Sequence, residues 1–193
     1  MKTLTLATDN ELIRLFQSGS NEALEALVYR HKDKLFTSIL MLVKDRYVAE
    51  DLFQKVFFQI IDLFKSNSYN EEVSFLPWAT HIAYDLCVDH CKNVKHPLTM
   101  TVAADGNILE VDNSIEESTE SGVFQEQLQG SLPDWCNLLP QEEREVIVLR
   151  HFGNMSFKEI MAVTRCNINT VIGRMCNGLF FLKNMLEEKQ VAF

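Results

Sequence analysis

The sequence of 193 residues lacks any long hydrophobic run, its longest unbroken apolar stretch being the five residues Ile39–Val43. A transmembrane helix needs roughly 18 or more apolar residues in succession, so no membrane span is predicted. The first residues, MKTLTLATDNEL, also lack the apolar core and the cleavage site of a secretory signal. We therefore expect the protein to stay in the cytoplasm. Its five cysteines, an odd number at irregular spacing, fit that reducing compartment better than a disulfide framework.

The sequence also lacks the motifs that carry enzymatic chemistry. It has no glycine-rich phosphate loop, no nucleophile elbow and no paired-carboxylate constellation, so we predict a protein that is not an enzyme and needs no cofactor. Cys87, His90 and Cys91 share one helical face, with His81 and His96 nearby. Because zinc sites with two cysteines and two histidines normally take ligands from two elements, a buried thiol pair is favoured and no metal site is predicted.

Negative charge is concentrated in one segment. The formal net charge is −9, and residues 96–130 hold seven acidic residues with no Lys or Arg. This stretch lacks sustained helical periodicity and is predicted to be an extended or disordered acidic linker, an ordinary solvated loop being the alternative. Hydrophobic residues make up 47% of the chain, which is typical of globular proteins. We therefore expect two folded domains, residues 1–96 and 131–193, joined by a flexible linker over residues 97–130.

The first part has the pattern of a helical bundle. Thr8 and Glu11 form a capping box that predicts a short helix. Apolar residues at steps of three and four predict longer helices over residues 21–43, 47–65 and 74–95. No segment shows a comparable strand pattern, so the fold class is predicted to be all-α.

The second part has the spacing of a helix-turn-helix. A helix is predicted after Pro140, a short helix after the capping box of Ser156 and Glu159, and a longer helix after Asn167. In that geometry the early residues of the last helix face the major groove, which makes Asn169, Thr170 and Arg174 candidate DNA contacts. Any compact bundle of three helices could give the same spacing.

Taken in order, the two parts resemble the extracytoplasmic-function sigma factors, the small two-domain promoter-specificity subunits of bacterial RNA polymerase. The resemblance covers nearly the whole chain. In the first half it is carried by Asn21, Glu22, Ala23, the run AEDLFQKVFFQIIDLF at residues 49–64, Phe75, Trp78, Ile82, Ala83 and Asp89. In the second half it is carried by Leu139, Pro140, Arg144, Val146, Ile147, Leu149, Arg150, Ser156, Glu159, Ile160, Thr170, Val171, Arg174 and Leu182.

The resemblance implies a role for each of these regions. One helix would dock on the clamp of the largest polymerase subunit through Asp51, Leu52, Gln54 and Phe57, although Leu52 and Phe57 could equally be core residues. The following loop and helix would meet the minus-ten element through Ser68, Tyr69, Asn70, Trp78 and His81, with Tyr69 stacking on a base and Trp78 favoured as a core residue. The helix-turn-helix would meet the minus-thirty-five element through Ser156, Asn167, Asn169, Thr170 and Arg174. The flap of the second-largest subunit would be a further partner, and the linker would thread the RNA exit region.

Several positions depart from the family pattern. Where arginines are common along the melting helix, this chain has Leu76, His81 and Tyr84, and a common Asn is Asp85. In the recognition helix, this chain has Ile172 and Asn177 at positions where the family usually has basic residues. Since each lost phosphate contact weakens binding to every DNA sequence, we predict weak autonomous promoter recognition.

One interpretation of these departures is that another factor brings the protein to DNA, either an activator or an inactivated RNA-guided DNA-binding protein. A merely divergent sequence is the competing interpretation. An anti-sigma factor is a further possible partner. Two other functions stay open: a non-initiating decoy or anti-sigma-like interaction protein, and a plain helix-turn-helix regulator that would not need the first domain.

Overall fold

The computed structural model describes residues 6–93 and 135–190. Within these two ranges every regular element is a helix, as the apolar spacing predicts, and no helix is long and apolar enough to cross a membrane. The helices are α1 (Asp9–Gln17), α2 (Asn21–Val43), α3 (Arg46–Lys65), α4 (Phe75–Asn93), α5 (Gln141–His151), α6 (Phe157–Thr164) and α7 (Ile168–Gln190). The predicted acidic linker, residues 97–130, lies outside the described residues.

Local capping sets the ends of the helices. Thr8 and Glu11 form the predicted capping box at α1, and Asp45 caps α3 by accepting a hydrogen bond from the backbone N–H of Val48 at 3.1 Å. Between α1 and α2 the chain turns through Gly19, whose φ of +107° is one that side chains with a Cβ rarely adopt. These local signals explain why the observed bounds lie within a residue or two of the predicted ones.

The first half, α1 to α4, is organised around Phe64. This side chain is fully buried and its ring contacts the rings of Phe16, Tyr69, Phe75 and Trp78, with centroid separations between 5.6 and 6.1 Å. Aliphatic residues on the inner faces of α2 and α3 complete the same core. Helix α3 carries apolar residues over a broad part of its surface because it packs against α1, α2 and α4 at once.

The second half contains the predicted helix-turn-helix. Ser156 and Glu159 form a capping box at α6, and Asn167 Oδ1 accepts a hydrogen bond from Thr170 N at 2.8 Å, which caps α7. Arg165 lies in the turn between α6 and α7 with a φ of +57°. The core consists of apolar residues from α5, α6 and α7, among them Val146, Leu149 and Ile160.

The two halves are in contact with each other. Met41 at the end of α2 packs into the cluster formed by Leu139, Ile147 and Val148, and Lys44 Nζ donates a hydrogen bond to the carbonyl of Asn137 at 3.2 Å. Helix α4 packs against α6. The division into two domains stays a prediction, and the structure adds that they form a shared interface.

Candidate binding surfaces on helices α3, α4 and α7

One exposed stripe runs along α3. Tyr47, Asp51, Gln54 and Phe58 follow each other at steps of three and four residues, which places them on the same side of the helix. Tyr47 is 85% exposed and Phe58 is 67% exposed, while Asp51 is paired with Lys55 at 2.6 Å. We call these four residues the α3 stripe. It combines two large solvent-exposed aromatic side chains with a carboxylate and an amide, and so can bind an amphipathic protein surface.

The predicted docking residues on α3 divide between this stripe and the core. Asp51 and Gln54 belong to the stripe, whereas Leu52 is buried in the core of the first half. Phe57 is half-buried, with its ring 4.9 Å from that of Phe53. Tyr47 and Phe58 did not figure among the predicted residues. Stepping by three and four residues from Asp51 in both directions would have found them.

The loop between α3 and α4 is fixed by its only aromatic residue. Tyr69 is only 8% exposed, its hydroxyl donates a hydrogen bond to the carbonyl of Val73 at 2.5 Å, and its ring meets that of Trp78 at 4.9 Å. Burial, together with the carboxylates of Asp9 and Glu71, raises the pKa of Tyr69 to about 12. In this arrangement Tyr69 holds the loop in place, and stacking on a DNA base, the role expected from the sequence, requires its ring to leave this position.

The remaining minus-ten candidates lie around this anchor. Ser68 and Asn70 are exposed on either side of Tyr69, and Asn70 Oδ1 accepts a hydrogen bond from the backbone of Glu72. Trp78 is half-buried and stacks on Phe64, which is the core position predicted for it. His81 is exposed, with Nε2 3.6 Å from a carboxylate oxygen of Asp85. Ser68, Asn70 and His81 are therefore the exposed members of these five candidates.

Helix α4 has two buried faces and one exposed face. Phe75, Ala79, Ala83 and Cys87 pack into the core of the first half. On a second face, Leu76, Thr80 and Tyr84 are also buried. The exposed face carries His81, Asp85 and Asp89. Two of the positions that depart from the family pattern, Leu76 and Tyr84, thus have a structural explanation, since both lie on a covered face.

Most of the predicted minus-thirty-five residues form hydrogen bonds within the second half of the chain. Ser156 and Asn167 are exposed but serve as caps, and the Thr170 hydroxyl donates to Asn167 Oδ1 at 3.1 Å. Asn169 is exposed at the start of α7. Ser156, Asn167 and Asn169 are thus the exposed members of this set.

Arg174 is held away from solvent. Its side chain is 12% exposed, Nη2 lies 2.6 Å from Glu142 Oε2 on α5, and Nη1 lies 3.2 Å from Cys166 Sγ. A phosphate contact by Arg174, as predicted, requires this ion pair to break. The sequence interpretation overlooked two exposed cations, Lys158 on α6 and Arg165 in the turn. The position of Arg165 within the turn was the available signal.

An apolar patch lies on α7. Leu179, Phe180 and Phe181 are consecutive and all exposed. Large apolar side chains that the fold leaves exposed are candidates for contact with another protein. No prediction from the sequence included it.

The cysteines do not form a metal site within the described residues, where no group of three or more His, Cys, Asp or Glu side chains is placed to hold an ion. Cys87 is buried, and burial, with a smaller effect of Cys91, raises the pKa of its thiol to about 12. A thiol in such surroundings stays protonated and inert.

The region that contains the α3 stripe matches a known protein family. Residues 27–96 match the model of Sigma-70 region 2. The RNA polymerase sigma-H factor of Pseudomonas aeruginosa is 24% identical over 176 residues, covering 89% of this chain and 90% of that protein. The ECF RNA polymerase sigma-E factor of Haemophilus influenzae is 24% identical over 187 residues, covering 94% of this chain and 95% of that protein.

A solved structure has the same fold. The sigma factor RpoE of Bartonella quintana, in complex with the anti-sigma factor NepR, aligns with a TM-score of 0.58 at 16% identity. The alignment covers 85% of this chain and 96% of that one.

Proposed function

We propose that this chain, which belongs to the extracytoplasmic-function sigma factors, binds core RNA polymerase through the α3 stripe and takes part in transcription initiation. The observation that carries the proposal is the exposure of Tyr47 and Phe58 within the Sigma-70 region 2 match. Large aromatic side chains are enriched among the residues that dominate protein–protein binding energy. A partner that covers both rings therefore removes apolar surface that the folded chain leaves in water.

The apolar patch on α7 is the second contact with polymerase. Leu179, Phe180 and Phe181 would bind an apolar element of the second-largest subunit, the flap predicted as a partner. Two separate contacts on one enzyme raise the overall affinity well beyond that of either contact alone.

Promoter recognition by the chain itself is weak in this proposal. The exposed face of α4 carries Asp85 and Asp89, whose charges repel phosphates, and Arg174 is already paired with Glu142. A recruiter would supply the missing affinity, either an activator or an inactivated RNA-guided DNA-binding protein. An anti-sigma factor would be a regulatory partner, as NepR is for the Bartonella quintana protein of the same fold.

Docking through the α3 stripe can be tested with a matched pair of variants. The double variant Tyr47→Ser/Phe58→Ser removes both exposed rings of the stripe, and Tyr29→Ser removes a ring on α2 that is 73% exposed. We expect the double variant to bind core polymerase roughly tenfold more weakly or worse, and Tyr29→Ser to bind as the wild type does. Co-elution in size-exclusion chromatography measures this, and equal binding by all three proteins contradicts the proposal.

An in vitro transcription assay distinguishes a sigma factor from a non-initiating decoy and from a plain helix-turn-helix regulator. Core polymerase with the wild-type chain should give promoter-dependent transcripts that the α3-stripe double variant does not support. Co-elution without any transcript, even with the native recruiter present, would favour a decoy. Transcription that survives deletion of residues 1–95 would favour a plain helix-turn-helix regulator. Strong initiation by core polymerase and this chain alone in ~200 mM salt would rule out the need for a recruiter.

A further inference from the structure

Helix α1 contacts the loop between α3 and α4 through three polar side chains. Asn10, Arg14 and Gln17 follow each other at steps of four and three residues, which places them on one side of the helix. Gln17 Nε2 donates a hydrogen bond to the carbonyl of Phe64 at 3.0 Å, and Asn10 Nδ2 donates one to the carbonyl of Glu71 at 2.9 Å. We call these three residues the α1 polar face. It holds the loop at both of its ends.

An ion pair adds to the contact at the end of the loop nearer α4. Arg14 Nε lies 2.8 Å from Glu71 Oε1, and Arg14 Nη2 donates a hydrogen bond to Glu71 Oε2. A guanidinium that bonds both oxygens of a carboxylate fixes the orientation of the carboxylate as well as its distance. Glu71 is therefore held by its main chain, through Asn10, and by its side chain, through Arg14.

Helix α1 is itself anchored in the bundle. Leu12 and Ile13 are buried in the core of the first half. In the first turn of α1, Asp9 Oδ1 lies 2.6 Å from Arg30 Nη1 and Asp9 Oδ2 lies 2.9 Å from His31 Nε2, and both partners belong to α2. Because the α1 polar face belongs to a packed helix, the loop that it holds takes a defined position on the bundle.

The loop carries two of the exposed minus-ten candidates, Ser68 and Asn70. Tyr69 between them is buried, and its hydroxyl lies 3.4 Å from Asn10 Oδ1. The loop is thus held by α1 at its two ends and by the core of the first half at its middle. Groups that are ordered before they bind avoid the entropy cost of being ordered on binding.

We propose that the α1 polar face positions the loop between α3 and α4 for reading single-stranded promoter DNA, and that the pair of Arg14 and Glu71 sets how well this loop discriminates between bases. The inference rests on the proposed function, since it takes the loop as a part of the chain that meets the minus-ten element. Arg14 and Glu71 are positioning residues, because they act on DNA through the loop.

The ion pair contributes more to the position of the loop than to the stability of the fold. The side chains of Arg14 and Glu71 are 66% and 40% exposed. Exposed ion pairs add little to the free energy of unfolding, and the core of the first half does not depend on this one. Loss of the pair should therefore leave the bundle folded while it frees the part of the loop between Tyr69 and α4.

Reversal of the two charges gives a matched set of variants. Arg14→Glu places two carboxylates opposite each other, and Arg14→Glu/Glu71→Arg restores an ion pair in the reverse orientation. Lys183→Glu, which breaks an exposed pair with Glu187 on α7, makes the same change of net charge away from the loop. Circular dichroism verifies the helix content, and Arg14→Ala replaces Arg14→Glu if helix content is lost.

Amide hydrogen exchange of the full chain measures the order of the loop. We expect exchange over residues 66–74 to become about fivefold faster in Arg14→Glu, the upper value for loss of an exposed pair, and to slow again in the double variant. Lys183→Glu should exchange there as the wild type does. Equal exchange in the wild type and Arg14→Glu would overturn the proposal.

Base selection by the polymerase complex tests the role of the loop in reading DNA. Core polymerase with each chain is mixed with single-stranded DNA of random sequence, and the bound strands are sequenced. Arg14→Glu should lower the enrichment of the preferred base at one or more positions by about fivefold, the lower value for one lost base contact, and the double variant should restore it. Lys183→Glu should select the same bases as the wild type, because net charge alters binding to all sequences alike. Wild-type selection by Arg14→Glu, or a loss that the double variant does not restore, would overturn the proposal.

Binding to core polymerase distinguishes failure of this inference from failure of the proposed function. These variants leave the α3 stripe untouched, so each should co-elute with core polymerase as the wild type does. A wild-type chain that does not co-elute would refute the proposed function and, with it, promoter reading by this loop. Co-elution of every variant, with base selection unchanged in Arg14→Glu or absent in the wild type, would refute the positioning role alone.

Discussion

Arg174 and Glu142 form an ion pair across the second half, with Nη2 2.6 Å from Oε2 and the guanidinium 12% exposed. Arg174, one of the residues expected to contact DNA, thus has its charge compensated by a carboxylate of the same chain. Glu142→Gln should release Arg174 for a phosphate contact. We expect tighter binding to DNA of any sequence and a steeper dependence of log Kd on log salt, by about one unit. Fluorescence anisotropy with duplex DNA between 50 and 200 mM salt measures both.

Arg174→Gln provides the control for that experiment. Added to Glu142→Gln, it should return the salt dependence to the wild-type slope. If Glu142→Gln leaves the slope unchanged, Arg174 does not reach a phosphate even when unpaired.

The exposed cations of the helix-turn-helix should carry the DNA affinity that the chain does have. Lys158 and Arg165 lie on α6 and in the turn, and both are exposed. We expect Arg165→Gln and Lys158→Gln each to weaken binding uniformly across sequences and to flatten the salt dependence by about one unit. Lys183→Gln, an exposed cation further along α7, is the control. An equal effect of all three substitutions would indicate unspecific attraction by net charge.

Phe64 should be the most costly ring to remove from the first half. It is fully buried and contacts four other rings, so Phe64→Ala leaves a cavity among Phe16, Tyr69, Phe75 and Trp78. The free energy of unfolding should fall by about 3–5 kcal/mol, as measured in urea. Phe58→Ala, on the same helix but exposed, should change it by less than about 0.5 kcal/mol. Similar losses for both would contradict the assignment of the two α3 faces.

The helices were predictable from the sequence because their signals are local. Thr8 with Glu11, and Ser156 with Glu159, lie three residues apart, and both capping boxes are present in the structure. Other residues have partners far along the chain that the sequence did not predict. Arg174 is paired with a residue 32 positions away, and Tyr84 hydrogen-bonds a residue 61 positions away. Spacing within one helix carries no information about such contacts.

The loop residue Tyr69 illustrates the same limit. An aromatic residue between serines and asparagines fits a base-stacking role, since loops are usually exposed. Its ring is instead buried against Phe64 and Trp78, from two different helices. Only the packing of α3 against α4 creates the space that it fills.

The interface between the halves should depend on pH through Glu145. Burial raises the pKa of this carboxyl above its ordinary value of 4.5, and Glu142 acts in the same direction. The hydrogen bond from Tyr84 on α4 and the charges of Arg174 on α7 and Arg144 on α5 act in the opposite direction but do not outweigh burial. With the two halves packed together, the chain therefore binds more protons at pH values above 4.5 than it does with the halves apart.

It follows that the packing of the two halves against each other loses stability as pH rises from about 4.5 through the raised pKa of Glu145. We expect a Tyr84→Phe variant, which loses the hydrogen bond to Glu145 between the two halves, to expand in small-angle scattering as pH rises above 4.5, and Glu145→Gln in that background to abolish the dependence. Asp9 acts in another range: burial opposes its ionisation, but His31 and Arg30 outweigh burial and lower its pKa below 3.8, so its contribution is lost only in stronger acid. Expansion that persists unchanged with Gln at position 145 would assign the pH dependence to a different group.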